Sequence, residues 1–118
     1  MNVRAIAAVM IHVPDWKEGL DWYQKAFPQA HRIRSPEFDF EFLELNGVQI
    51  EVVTADEKVG TGTFGIAVDW EVESFDEAFR HLTELGATLY RGPATIENGR
   101  QMCKLKDPFG NLLGLRGL

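Results

Sequence analysis

The sequence predicts an α+β fold of two βαβββ modules within one domain. Three observations carry that reading. Apolar strand patterns run twice into capped helices, three strand patterns follow each helix, and the second strand-to-helix junction repeats the first 59 residues later. Val13-Pro14-Asp15-Trp16-Lys17-Glu18 lies over Val72-Glu73-Ser74-Phe75-Asp76-Glu77 in that repeat. The chain of 118 residues is of one-domain size, 1–118, with module one at about 1–58 and module two at about 59–118. A chain this long buries roughly two-thirds of its unfolded surface, enough for a core without disulfide staples.

The elements follow in order. Val3 to Val13, rich in Ile, Val and Ala, reads as a strand covered on nearly both faces. Asp15 and Glu18 form a capping box, and Trp16, Leu20, Tyr23 and Phe27 make one helical stripe that Pro28 stops. After a short stretch around Ile33, Phe38, Phe40 and Phe42 alternate with Asp39 and Glu41, as in a strand with one wet face; we assign this aromatic stripe to the core. Asn46-Gly47 predicts a type I′ hairpin leading to Val48–Val53, because both turn positions need positive φ. Thr54 to Thr63 is the linker between halves. Phe64 to Val72 reads as the next strand, and Ser74 and Glu77 cap a helix with its stripe at Phe75, Ala78, Phe79, Leu82 and Leu85, ended by Gly86. Thr88–Tyr90, Met102–Leu105 and Leu112–Arg116 are the last strands, the final two joined by the turn Asp107-Pro108-Phe109-Gly110-Asn111.

Composition bounds the function. With 45% apolar and 25% charged residues the chain is globular rather than disordered. A net charge of −6 repels phosphate backbones and anionic headgroups, so neither nucleic acid nor a membrane surface is an expected partner. The longest apolar run, Ala5 to Ile11, falls far short of the ~20 residues of a membrane span. Arg4 before it would suit a secretory leader, but His12 to Trp16 stand where small cleavage-site residues belong. With one cysteine, Cys103, the expected location is cytoplasmic. Gly60-Thr61-Gly62-Thr63-Phe64-Gly65 matches the dinucleotide fingerprint in letters only, since a strand rather than a helix follows it. His31 and His81 have no zinc-ligand spacing, and Cys103 has the parity of a buried small hydrophobe.

The doubled strand-helix-three-strand grammar, Val13-Pro14-Asp15 before a helix containing Trp22-Tyr23, and the Asp107-Pro108-Phe109-Gly110-Asn111 turn together resemble the vicinal oxygen chelate superfamily of glyoxalase I, extradiol dioxygenases, and fosfomycin- and bleomycin-resistance proteins. The resemblance spans essentially the whole chain. It implies two modules whose sheets form an incomplete, cupped β-barrel around a cavity, commonly in a homodimer. In enzymes of that superfamily, His, Gln or Glu side chains hold a divalent metal whose open positions take two neighbouring substrate oxygens. The equivalent positions are Ala8, Ala67 and Gly114, none with a donor atom, and Glu51. A metal site of the family type is therefore not expected, nor any other cofactor.

The period-2 rule then orients the rest. With Ala8 inward, Met10 and His12 follow, and His12 falls where glyoxalase-like relatives contact substrate. Gln49, Glu51 and Val53 share the inward parity, as do Gly65, Ala67 and Asp69, Met102 and Lys104, and Leu112, Gly114 and Arg116. The expected ligand-binding residues are Met10, His12, Gln49, Glu51, Asp69, Trp70, Met102, Lys104, Leu112 and Arg116, with Trp70 stacking on a planar ligand. Two Ala and two Gly among the inward positions leave room for a bulky organic molecule.

Three functions fit this sequence. The first is a metal-free, dimeric small-molecule-binding protein of the bleomycin-resistance type, sequestering an aromatic or cationic drug-like compound. The second is an enzyme, either a glyoxalase-like lyase or isomerase or an acid–base catalyst using His12 and Glu51. The third is a dimeric interaction module whose cavity its own side chains fill.

Overall fold

A computed structural model describes residues 1–118. The chain divides into two compact units, Met1–Gly60 and Thr61–Leu118. In the first, β1 (Ala8–Val13), α1 (Trp16–Ala26), β2 (His31–Ser35), β3 (Phe40–Leu45) and β4 (Val48–Thr54) build a four-stranded sheet ordered β1-β4-β3-β2. In the second, β5 (Asp69–Val72), α2 (Phe75–Glu84), β6 (Thr88–Thr95) with a short helical turn at 97–99, β7 (Gln101–Lys106) and β8 (Leu112–Gly117) build a sheet ordered β5-β8-β7-β6. Each sheet is open, and each has one parallel pair, β1 with β4 and β5 with β8, beside antiparallel neighbours. The α+β reading of two βαβββ modules holds in detail: Val13 and Val72 end the equivalent strands, and Trp16 and Phe75 start the equivalent helices.

Local chemistry explains the helix ends. The Asp15 side chain accepts from Lys17 N at 3.0 Å, and Ser74 Oγ accepts from Glu77 N at 3.3 Å. At the far end of α2, Gly86 takes φ 103°, Gly86 N donates to Thr83 O and Ala87 N to Leu82 O, the paired bonds of a Schellman ending. In the hairpin between β3 and β4, Asn46 and Gly47 have φ 49° and 84°, as the Asn-Gly dipeptide foretold.

The core of module one lies between α1 and one sheet face: Val13, Leu20, Tyr23, Leu43, Ile50 and Val52 are all buried. Burial of side chains this size stabilises by about 1.5–3 kcal/mol each. Module two repeats the scheme with Phe75, Leu82, Cys103, Leu105, Leu113 and Leu115.

Four expectations need correction. The first strand starts at Ala8 rather than Val3. The strand expected from Phe64 is formed only from Asp69, leaving Phe64 and Ile66 exposed and Gly65 and Ala67 outside any strand, because Gly65 turns at φ 84°. The strand expected to stop at Tyr90 continues to Thr95 through Gly92-Pro93, with register shifts at Leu89–Arg91 and Arg91–Ala94 absorbing the irregular residues. The phenylalanine stripe is not the helix-side core. Phe38 is exposed beside Asp39 at φ 49°, and Phe40 and Phe42 stack at 5.6 Å on the alternate parity from buried Leu43.

Candidate functional site

Strand alternation gives each sheet a helix-covered face and an open face. In module one, Ala8 pairs with Gln49, Met10 with Glu51 and His12 with Val53, all alternate to the buried Val13, Ile50 and Val52. The structure therefore brings Met10, His12, Gln49 and Glu51 onto one face, as expected. Gln49 Nε2 donates to Glu51 Oε2 at 2.7 Å. His12 is the diagonal neighbour of Glu51, and its charge adds to the pull of the Val59 and Lys58 amides that holds the Asp56 carboxyl below its ordinary range.

In module two, Asp69 pairs with Gly114 and Glu71 with Arg116 across β5 and β8. Lys104 pairs with Gly114 and Met102 with Arg116 across β7 and β8. Asp69, Met102, Lys104, Leu112 and Arg116 thus share the open face. Trp70 does not join them. It pairs with Leu115, which is fully buried on the helix side, because neighbours in a strand point to opposite faces.

At the centre of this face the Asp69 carboxylate is held by two cations. Lys104 Nζ lies 2.6 Å from Oδ1, an ion pair not aligned as a hydrogen bond, and Arg116 Nε donates to Oδ2 at 2.8 Å. Burial pushes the Asp69 carboxyl up, but Lys104 and Arg116 outweigh it and hold the group below the ordinary aspartate range. Lys104 and Asp69 side chains are 17% and 16% exposed and Arg116 41%, so the guanidinium keeps an accessible edge. Beneath them, burial pushes the Cys103 thiol up, with Lys104 pulling the other way, so it stays protonated and inert.

Beside the triad lies a cavity of about 480 Å³, walled by Tyr90, Gly92, Ala94, Met102 and Leu112, with Arg91 and Lys104 as its charged wall. Its volume is that of a small-ligand pocket. Gly92 in its wall lets β6 lie close on β7: a Cβ there would stand 3.0 Å from Met102 O, at a φ of 92°. Thr63 reaches the same cavity, and the segment carrying it is fixed by Gly62 N donating to Asn111 Oδ1 at 3.0 Å. Asn111 belongs to the Asp-Pro-Phe-Gly-Asn turn, where Asp107 Oδ1 accepts from Phe109 N at 2.8 Å and Asn111 N at 2.9 Å. Tyr90, Arg91, Gly92 and Ala94 escaped the sequence reading because Gly-Pro marks a turn more often than a strand interior.

A family model described as glyoxalase/bleomycin resistance protein/dioxygenase superfamily matches residues 5–115. The chain belongs to that superfamily. Solved members share the fold at low identity. A glyoxalase/bleomycin resistance protein/dioxygenase family enzyme from Burkholderia phytofirmans is 20% identical at a TM-score of 0.76, over 94% of this chain and 96% of the other. The fosfomycin resistance protein FosX of Listeria monocytogenes is 17% identical at 0.77, over 99% and 95%. A superfamily member from Sphaerobacter thermophilus is 24% identical at 0.70, over 98% of each chain. No curated protein matches the chain.

The metal that this superfamily implies can be tested against the residues present. Ala8 and Gly114 offer no donor, and within neither module do three His, Cys, Asp or Glu side chains gather as a metal site would require. The room a side chain at 114 would need is filled by Asp69 itself, whose Cγ would lie 2.8 Å from a Cβ there. Its oxygens are already taken by an ammonium and a guanidinium. These residues do not fit a divalent ion, and no chemistry is routed through one.

Proposed function

We propose that this chain is a small-molecule-binding protein of the bleomycin-resistance type, holding an organic compound without a metal ion. The observation that carries the reading is the cavity in module two, with apolar walls from Met102, Leu112, Tyr90 and Ala94 and charged groups at one side. The homodimer is part of the same reading, supported by β1 and β5 as edge strands of their sheets with exposed Met10, Phe64 and Ile66 nearby. A reducing compartment, the cytoplasm, suits its single buried cysteine. No helix is long and apolar enough to cross a membrane.

Fluorescence titration with N-phenylnaphthylamine, a neutral aromatic probe, tests the reading. Saturable binding at one site per chain is expected, weakened about tenfold or more in Ala94→Trp, which fills the cavity from the edge strand. An absence of saturable binding, or full binding in the filled variant, overturns it.

A further inference from the structure

We infer that the compound held in the module-two cavity is an organic anion, an apolar body bearing a carboxylate-, sulfonate- or phosphate-like group, with the oxyanion seated against Lys104 and Arg91. The inference rests on the cavity reading above and adds the sign of the ligand's charge.

The charge balance of the open face supports it. Strand register puts Lys104, Lys106, Arg91 and Arg116 on this face with only Asp69 and Glu71 as carboxylates. Glu71 is already bound by Arg100 from outside the set, and Asp69 is shared by Lys104 and Arg116. The Lys104–Asp69–Arg116 triad alone carries a net +1, and Arg91 and Lys106 have no carboxylate within ion-pair distance. Lys106 instead lies 5.6 Å from the centre of the Tyr90 ring, at the cavity wall. The result is a basic wall in a chain whose overall charge is −6.

That local excess matters more than the global sign, because charges farther than about 8–10 Å are screened at physiological salt while a half-buried neighbour is not. Module one makes the contrast plain, since its open face carries Glu44 and Glu51 and no lysine or arginine at the paired positions. Asp69 has a second part in this arrangement. It holds the Lys104 ammonium in a fixed place on the cavity wall, so a ligand oxyanion meets a cation already oriented. A cationic ligand would meet the same groups as repulsion.

The test compares two probes on the intact protein: anilinonaphthalene sulfonate, and N-phenylnaphthylamine, its parent without the sulfonate. The anion is expected to bind about tenfold more tightly, with the advantage shrinking as salt is raised. Arg91→Gln should erase most of the anion's advantage. An unchanged circular-dichroism spectrum shows that the variant is folded, and the comparison in the unmodified protein stands without any variant. Equal binding of the two probes, or an anion affinity indifferent to salt, overturns this inference and leaves the cavity reading intact. Binding of neither overturns the cavity reading and this one with it.

Discussion

Gly114 and Asp69 occupy one space. They face each other across β8 and β5, and a Cβ placed on Gly114 would overlap Asp69 Oδ1 and stand 3.1 Å from Asp69 Cα. The backbone at 114 is not in the left-handed region, so the glycine is required by the neighbour and not by its own conformation. Gly114→Ala should therefore destabilise the protein by about 1–3 kcal/mol, the usual cost of forcing atoms into filled space. Chemical denaturation measures this, and the cost should shrink in an Asp69→Ala background, where the collision with the carboxylate is gone and only the approach to the Cα remains.

Acid should act through the same carboxylate. Its pKa in the fold is below that of an ordinary aspartate, so it contributes stability that is present above the unfolded value, about 3.9, and is lost as pH falls through the folded value. Asp69→Asn should accordingly lie below the unmodified protein in urea midpoint at pH 7. The gap should narrow progressively below about pH 4, and a constant gap across that range would refute the assignment.

Two effects compete at Gly19. An alanine would favour helix α1 by about 1 kcal/mol in an exposed helix. At this site, however, its Cβ would come within 2.7 Å of Val13 Cγ2 and 2.8 Å of Val52 Cγ1, both buried in the sheet beneath. Overpacking of about 1–3 kcal/mol outweighs the propensity, and Gly19→Ala should lower the melting temperature.

The turn before β8 depends on one side chain. Asp107 is 3% exposed and its Oδ1 accepts from both Phe109 N and Asn111 N. Asp107→Ala strands two donors and should cost about 1–3 kcal/mol. Because Asn111 Oδ1 in turn accepts from Gly62 N, hydrogen exchange at Gly62 should accelerate in the variant.

Much of this molecule was legible in its letters, for reasons that differ by element. Asp15, Ser74, Asn46-Gly47 and Gly86 act locally, each through bonds or φ values within a few residues, so the sequence suffices to read them. Parity along a strand likewise placed Met10, His12, Gln49 and Glu51 on one face. Trp70 went astray against that same rule: beside Asp69 in the strand, it had to take the opposite face. The triad is legible only in space, because Asp69, Lys104 and Arg116 come from three strands joined by register. The path of β6 through Gly92-Pro93 was hidden because its bulges are set by the partner strand β7.

The doubled architecture has a consequence for how such proteins diversify. Each half keeps its buried strand side chains on one parity, so exchanges at the other parity leave the buried set undisturbed. One half has arrived at an acidic wall and the other at a basic one over sheets of the same strand order. Selection can retune the chemistry of either surface by a handful of codons while both foundations stay as they are.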